Sequence, residues 1–293
     1  MEKAMIAMSG GVDSSVTAYL MQQAGFDCIG ATMHLCDGLT QPTTGAQDAR
    51  SVADRLGLPF YEFDHTALFR EKVVEEFIHC YETGGTPNPC LYCNRHLKFD
   101  ALMQEARKLD CDYIVTGHYA RIEQDPKTGR YLLKKAVDLQ KDQSYFLSCL
   151  TQQQLARTKF PLGSMTKEQV RQIAQEQGFV NAKKRDSQDI CFIPDGDYRS
   201  FMERYTGKQY PAGDYLDLDG KVVGTHSGAV GYTIGQRKGL GIALGEPVYV
   251  CRKDMQANTV TVGPNEALYQ KELCAKDWNW IGIENPTEPF RCY

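Results

Sequence analysis

The sequence predicts an α/β chain in which a Rossmann-like parallel-sheet domain precedes a small β-rich domain. Three observations carry this expectation. Short apolar runs alternate with helix-period segments from Ala4 to His118. A Ser9-Gly10-Gly11 turn joins the first strand directly to the first helix. Beyond about Asp197 the pattern changes to short β segments punctuated by glycine.

In chain order, Ala4–Met8 and Cys28–Leu35 read as buried strands, with Val16–Gln23 and Ala46–Leu56 as helices. Pro59–Phe63 is a short strand, Leu68–His79 a helix, and Leu97–Leu109 another helix after the Gly84–Pro89 loop. Tyr113–Thr116 is the next strand and ends at Gly117-His118. This βαβα order implies a parallel sheet with ligands outside the carboxyl ends of its strands. The Ser-Gly-Gly turn, Met33, Gly117-His118 and the Thr86–Asn94 loop all belong to that edge. From Thr151 to Gly178 the pattern is helical, broken at Pro161-Leu162-Gly163, with Thr166–Gln177 as its second piece. A helix over Tyr198–Tyr205 leads into β segments at Gly213–Leu218, Lys221–His226, Val248–Arg252 and Thr259–Gly263. Asp219-Gly220 is a hairpin signal between the first two, and Trp278–Ile283 looks like the start of a further strand.

With 42% hydrophobic and 24% charged residues in 293, the composition is that of an ordinary globular protein with room for two domains and part of a third. No apolar stretch reaches membrane-spanning length, and Met-Glu-Lys runs straight into the first strand. We therefore expect a cytoplasmic protein without a secretory leader. The net charge of −4 neither requires nor excludes nucleic acid, because a local basic patch is enough to bind phosphates. Eleven cysteines at irregular spacing do not form a secreted disulfide framework. Cys28, Cys111 and Cys149 sit among apolar residues and read as small core side chains.

The phosphate signal is the densest. Ala7, Met8, Ser9, Gly10, Gly11, Val12, Asp13 and Ser14 run from strand to helix, with Ser15 following. Glycines without a Cβ let the backbone approach a ligand. The helix start supplies unpaired N–H groups and a positive dipole end. The string is not a Walker A loop, since no Gly-Lys-Ser/Thr follows. It resembles the pyrophosphate loop (PP-loop) of ATP pyrophosphatases.

A second motif is Thr86-Pro87-Asn88-Pro89-Cys90-Leu91-Tyr92-Cys93-Asn94. Its prolines stiffen an extended loop, and Cys93 is expected at the entrance of the following helix, where the dipole favours a thiolate. A structural zinc would need a second Cys/His pair, which is absent from the sequence, so no metal ligands are assigned. The third motif is Lys183-Lys184-Arg185-Asp186-Ser187-Gln188-Asp189-Ile190-Cys191-Phe192-Ile193. By itself its basic cluster reads as a solvated turn and Cys191 as a core thiol.

Taken together, these strings occur in the order seen in tRNA-specific 2-thiouridylases. The others are Gly117-His118-Tyr119-Ala120-Arg121, Lys141-Asp142-Gln143-Ser144-Tyr145-Phe146-Leu147 and Gly235-Gln236-Arg237-Lys238-Gly239-Leu240-Gly241. The resemblance covers nearly the whole chain. It implies a PP-loop ATPase domain over residues 1–196, a small central β-rich domain over 197–265, and the beginning of a C-terminal β-barrel domain over 266–293, cut short. It further implies ATP and Mg²⁺ at the Ser9–Ser14 loop, with Met33 and Gly117 near the adenosine. Cys191 would carry a persulfide and Cys93 would be the second catalytic thiol, the two ending as a disulfide. Asn88, Pro89, Cys90, His118, Lys141, Asp142 and Gln143 would contact tRNA. Arg237 and Lys238 suit tRNA phosphates. The partners implied are wobble-uridine tRNAs for Lys, Glu and Gln, and a cysteine desulfurase or sulfur-relay protein, with the enzyme acting as a monomer.

One departure affects the chemistry. Some members of the family carry Asp where this chain has Cys90, so the acid/base group is open. Cys90, Cys93 and Cys191 also offer three ligands to an alternative iron–sulfur cluster. An amidating ligase of the same superfamily leaves Cys93 and Cys191 without roles, and a non-catalytic tRNA-binding relative is a reading of a different class.

Overall fold

A computed structural model of the chain describes residues 1–36, 39, 44–184 and 190–291. The Arg185–Asp189 part of the third motif lies outside the described residues. Two compact units emerge. One comprises Met1–Lys72, Cys90–Gln188 and Asp277–Tyr293, and the other Val73–Pro89 and Asp189–Lys276. These differ from the contiguous 1–196, 197–265 and 266–293 division, because Val73–Pro89 clusters with the second unit and Asp277–Tyr293 with the first.

The first unit opens with β1 (Lys3–Ala7), α1 (Val12–Gln23), β2 (Asp27–His34), α2 (Gly45–Leu56) and β3 (Phe60–Asp64). β4 (Tyr113–Val115), β5 (Ala120–Gln124), β6 (Tyr131–Lys135) and β7 (Thr158–Lys159) follow later in the chain. Five strands form a parallel sheet in the order β3-β2-β1-β4-β7, as the βαβα pattern requires. Strand alternation feeds two cores. Ala4 and Ile6 of β1 join Val16, Val170 and Ala174 on one face, while Met5 joins Ile29, Phe99 and Leu102 on the other. Burial on both faces explains why β1 is a continuous apolar run.

Several elements differ from expectation. β5 and β6 form an antiparallel hairpin, and β7 adds to the sheet edge within a stretch that reads as helical. Only Gln152–Ala156 and Lys167–Glu176 are α-helical there, each started by a capping box, Thr151/Gln154 and Thr166/Gln169. The helix expected at Leu97 begins at Pro89, whose missing N–H costs nothing at a first helical position. It runs through Cys93 and a π-helical stretch, Asn94–Ala101, into Leu102–Lys108. Trp278–Ile283 is not a strand. The carbonyls of Trp280 and Ile281 instead accept from the Arg130 guanidinium at 2.8 and 3.1 Å, and the Trp278 and Trp280 rings stack at 4.8 Å.

The second unit holds the helix Tyr198–Thr206 and a four-stranded sheet. Its strands are β8 (Gly213–Leu216), β9 (Val222–His226), β10 (Tyr249–Asp254) and β11 (Thr259–Gly263), ordered β10-β11-β8-β9. β8 and β9 are antiparallel about the expected turn, where the Asp217 N–H donates to Lys221 O at 2.9 Å and Gly220 has φ +84°. Tyr215, Tyr232, Leu240, Val250, Val260 and Val262 fill its core.

Candidate active site

The turn between β1 and α1 is cross-braced. The Ser9 N–H donates to Ser14 Oγ at 3.2 Å, and the Ser14 and Ser15 hydroxyls both donate to Gly11 O at 3.0 Å. Gly10 has φ +75°, and a Cβ there would lie 2.1 Å from the carbonyl oxygen of Gly45, so only glycine fits. Asn181, 3% exposed, ties the turn from 171 residues farther along the chain by donating to Gly10 O at 3.0 Å and Ser15 Oγ at 2.9 Å. Gly117, after β4, comes so close to α1 that a Cβ would sit 2.9 Å from Asp13 C and Ser14 N. The two strand ends thereby form one crevice.

That crevice is a cavity of about 250 Å³ at the carboxyl edge of the sheet. Ala7, Met8, Ser9, Asp13, Ser14, Met33 and Gly117, all expected to contact nucleotide, line it. Gly10 and Gly11 contribute backbone to the turn, and the Val12 side chain is buried in the core. His118 and Gln143, expected to contact tRNA, line the same cavity. Thr32, Lys98, Leu102 and Thr116 line it as well, and sequence reasoning missed them because nothing in their local pattern marks them. His118 packs between Phe99 and Phe160, at 6.0 and 5.9 Å between ring centroids, and its Nδ1 lies 2.7 Å from Thr116 Oγ1. Burial, aided by the Lys98 charge, holds it well below the ordinary histidine pKa, so it is neutral at pH 7.

The Asp13 carboxylate faces the cavity under heavy restraint. Lys167 Nζ donates to both its oxygens at 2.8 Å, and the Tyr119 hydroxyl donates to Oδ1 at 2.9 Å. Neither partner was expected. The Thr166-x-x-Gln169 capping box was the only signal near Lys167, and it says where a helix starts rather than where Lys167 points.

Gln143 bridges to the strand end, accepting from the Tyr119 N–H at 3.0 Å while its own N–H donates to Tyr119 O at 2.8 Å. The Asp142 carboxylate accepts from the Ala136 N–H at 2.8 Å and the Ser144 hydroxyl at 2.7 Å, so it shapes its own turn. Lys141 lies in that turn, its N–H donating to Asp138 O at 3.1 Å. A more open hollow of about 380 Å³ lies beside β6, lined by Leu132, Lys135, Ser144, Tyr145 and Ile281 together with Asp142, so Asp142, expected to contact tRNA, lines this hollow rather than the crevice. Lys184, expected in a solvated turn, is paired: its Nζ lies 2.7 Å from Asp48 Oδ2.

The thiols occupy contrasting settings. Cys93 is buried one turn inside its helix, which corrects the expectation that it stands at the helix entrance. Cys90, in the first turn after Pro89, is exposed. Asn94, 1% exposed, fastens the helix by donating to Phe146 O at 2.7 Å. Asn88 and Pro89 end the loop of the second unit, where Thr86 and Gly85 meet Thr233 Oγ1 at 3.4 Å and Lys253 Nζ at 3.5 Å. Also in the second unit, Cys191 is exposed on a turn closed by Ile193 N–H to Ile190 O at 2.8 Å. Its neighbours Phe192 and Ile193 are each 2% exposed, and the Phe192 ring meets Phe77 and Phe201 at 5.3 Å. The alternative of a core thiol at Cys191 is therefore wrong, because the turn sends the aromatic inward and the sulfur out. Burial raises the pKa of Cys28 to about 11 and also raises those of Cys111 and Cys149, as suits inert side chains. Among the described residues, no three His, Cys, Asp or Glu side chains converge in metal-ligating geometry. No described helix is long and apolar enough to cross a membrane.

Comparison with known proteins identifies the relatives of this chain. Residues 2–195 match the family model described as tRNA methyl transferase HUP domain, and 199–264 the tRNA methyl transferase PRC-barrel domain. The tRNA-specific 2-thiouridylase MnmA of Clostridioides difficile (strain 630) is 48% identical over 298 residues, covering 99% of this chain and 82% of that protein. Its counterpart in Halothermothrix orenii is 46% identical over 301 residues, covering 99% and 84%. A solved structure, U34-tRNA thiolase NcsA from Methanococcus maripaludis with its [4Fe-4S] cluster, aligns at 16% identity and TM-score 0.44 over 70% of this chain and 67% of that one, too distant to bear on chemistry. The family descriptions speak of methyl transfer and the relatives are named for thiolation; near-full-length identity decides for the relatives. The chain belongs to the tRNA-specific 2-thiouridylase family.

Proposed function

We propose that this chain uses ATP to activate the C2 carbonyl of the wobble uridine in tRNA and replaces its oxygen with sulfur. One observation carries the reading: residues expected to hold nucleotide and two expected to meet tRNA, His118 and Gln143, line a single cavity. The C2 oxygen attacks the α-phosphorus of ATP, pyrophosphate departs, and the oxygen now leaves as part of AMP. The terminal sulfur of a Cys191 persulfide attacks C2 and displaces AMP. The Cys93 thiolate then attacks Cys191 Sγ. The electron pair of the broken S–S bond stays on the sulfur at C2, leaving a thiocarbonyl and a Cys93–Cys191 disulfide, which a dithiol reductant reopens.

Met33 and Gly117 flank the adenosine in this reading, and the braced turn from Met8 to Ser14 receives the pyrophosphate end. Mg²⁺ would shield the phosphate charge when bound. Asp13, Ser9 and Ser14 offer the hard oxygens such an ion takes together with phosphate and water. The neutral His118 serves as a hydrogen-bonding wall, and Asn88, Pro89, Cys90 and the Lys141–Gln143 turn meet the tRNA. Three converging ligands for an iron–sulfur cluster are not found among the described residues, so no step is derived through one. Turning the target base out of its stack is required of an enzyme working at C2. The tRNAs we expect are those for Lys, Glu and Gln, the sulfur source a cysteine desulfurase or relay protein, and the setting the cytoplasm, with the enzyme acting as a monomer.

The test is to incubate the protein anaerobically with ATP, Mg²⁺, a persulfide-forming sulfur source and unmodified tRNA, and to quantify nucleosides by mass spectrometry. 2-Thiouridine with stoichiometric AMP, from protein free of iron, is the expected result. Absence of 2-thiouridine, or its strict dependence on bound iron, would overturn the reading.

A further inference from the structure

Asp13 opens a question that the loop motif leaves unanswered. A carboxylate in a crevice meant for phosphates repels them unless something governs its charge and direction. It occupies the second position of α1 and lines the cavity, where the helix N-terminus favours an anion. Two groups from distant parts of the chain close on it: Lys167, 8% exposed, and Tyr119, 2% exposed. Lys167 spans both carboxylate oxygens at 2.8 Å, and Tyr119 adds a third donor to Oδ1 at 2.9 Å. A carboxylate has about four acceptor sites. These contacts load Oδ1 twice and Oδ2 once.

The donors are themselves fixed. Lys167 begins its helix under the Thr166–Gln169 capping box, and its N–H donates to Asp138 Oδ2 at 3.1 Å. Its Nζ also lies 5.9 Å from the Tyr119 ring centroid. Val170 and Ala174, farther along that helix, share a core with Val16 of α1, so the two helices hold their register by packing. Tyr119 is held through its backbone by Gln143, which lines the same cavity.

We propose that Lys167, with Tyr119, is a positioning residue of the nucleotide site that fixes the Asp13 carboxylate so that Oδ2 is presented to a metal-bound triphosphate. The ammonium acts through Asp13 rather than on the phosphates. This inference rests on reading the cavity as a nucleotide site, and binding of Mg-ATP to the unaltered protein tests that reading separately.

The experiment is a double-mutant cycle on Mg-ATP affinity, measured by calorimetry, with thermal unfolding to confirm that each variant is folded. Lys167→Met and Asp13→Asn should each weaken Mg-ATP about tenfold, while the double variant should be no weaker than Asp13→Asn alone. Lys167→Arg should recover most of the loss, because a guanidinium can still donate to both oxygens. Tyr119→Phe, which deletes one hydroxyl, should weaken binding about threefold. Wild-type affinity in folded Lys167→Met would overturn the proposal, as would losses that multiply in the double variant. Should Lys167→Met not fold, wild-type affinity in Tyr119→Phe would overturn it.

Discussion

In the turn after β1, Ser9, Gly11, Ser14, Ser15 and Asn181 restrain one another through hydrogen bonds of 2.9 to 3.2 Å, and Gly10 leaves no room even for a methyl group. At Cys191 the opposite holds: the residue is exposed, and its neighbours Phe192 and Ile193 are locked in place. The two designs suit the two tasks proposed for them. A phosphate chain is bound best by donors already fixed in direction, since nothing then has to reorganise as charge develops. A sulfur carrier has to collect its cargo from one partner and surrender it to another, so access matters more than rigidity.

The comparison can be broken by moving each property in turn. The largest effect is expected at Cys191. Cys191→Ser should abolish persulfide-driven 2-thiouridine formation while shifting stability by no more than about 0.5 kcal/mol, as for other exposed substitutions. Retained thiolation would remove Cys191 from the mechanism. Gly10→Ala should do the reverse in kind, because a Cβ meets the Gly45 carbonyl and φ +75° is strained for alanine. A loss of about a hundredfold in kcat/KM for ATP is expected from so small a displacement, and unaltered ATP kinetics would show that the turn yields after all.

Phe192→Ala asks whether the anchor matters to the thiol beside it. Emptying that aromatic site should cost about 3–5 kcal/mol, read as a fall in the urea midpoint, and should make Cys191 react faster with a thiol reagent. A stable variant with unchanged reactivity would separate the turn from its anchor.

The smallest effect is at His118. Burial keeps its folded-state pKa depressed, so below about pH 6.5 the unfolded chain takes up a proton that the folded chain refuses. Stability then falls as the pH is lowered, whereas above that point both states are neutral and the contribution is flat. His118→Gln should flatten this acid limb by at most about 1.4 kcal/mol per pH unit, measured by urea unfolding between about pH 5 and pH 8. An identical limb in the variant would mean that His118 is protonated alike in both states.

What could be read from the sequence followed the range of the interactions. The β1–α1 turn, the parallel strands β1 to β4 and the Asp219-Gly220 hairpin are written in contiguous residues, and they appear where local pattern puts them. β7 has two residues and exists because β4 offers an edge, which no window around Thr158 reveals. The β5–β6 hairpin went unrecognised because its strands are only half-buried and its Asp125–Arg130 turn lacks an Asn-Gly or Asp-Gly pair. Lys167 and Asn181 reach the β1–α1 turn from 154 and 171 residues away, so their contacts exist only after folding. Conversely, Cys191 was misjudged when taken alone because Ile-Cys-Phe-Ile looks uniformly apolar, although a tight turn can point its members in different directions.

The π-helical stretch after Cys93 has a consequence for insertions and deletions. Its hydrogen bonds skip one residue more than those of an α-helix, so Asn94–Ala101 accommodates extra chain between the thiol and the cavity-lining Lys98 and Leu102. Deleting a single residue there would let the helix relax to ordinary winding, at the cost of moving the buried Leu97 or Phe99 out of register. It would also change the direction in which Cys93 points relative to Leu102, by whatever part of the removed residue's turn the tighter winding does not make up. The length of the segment therefore matters as well as its side chains, of which Asn94, Leu97 and Phe99 are buried and Lys98 lines the cavity.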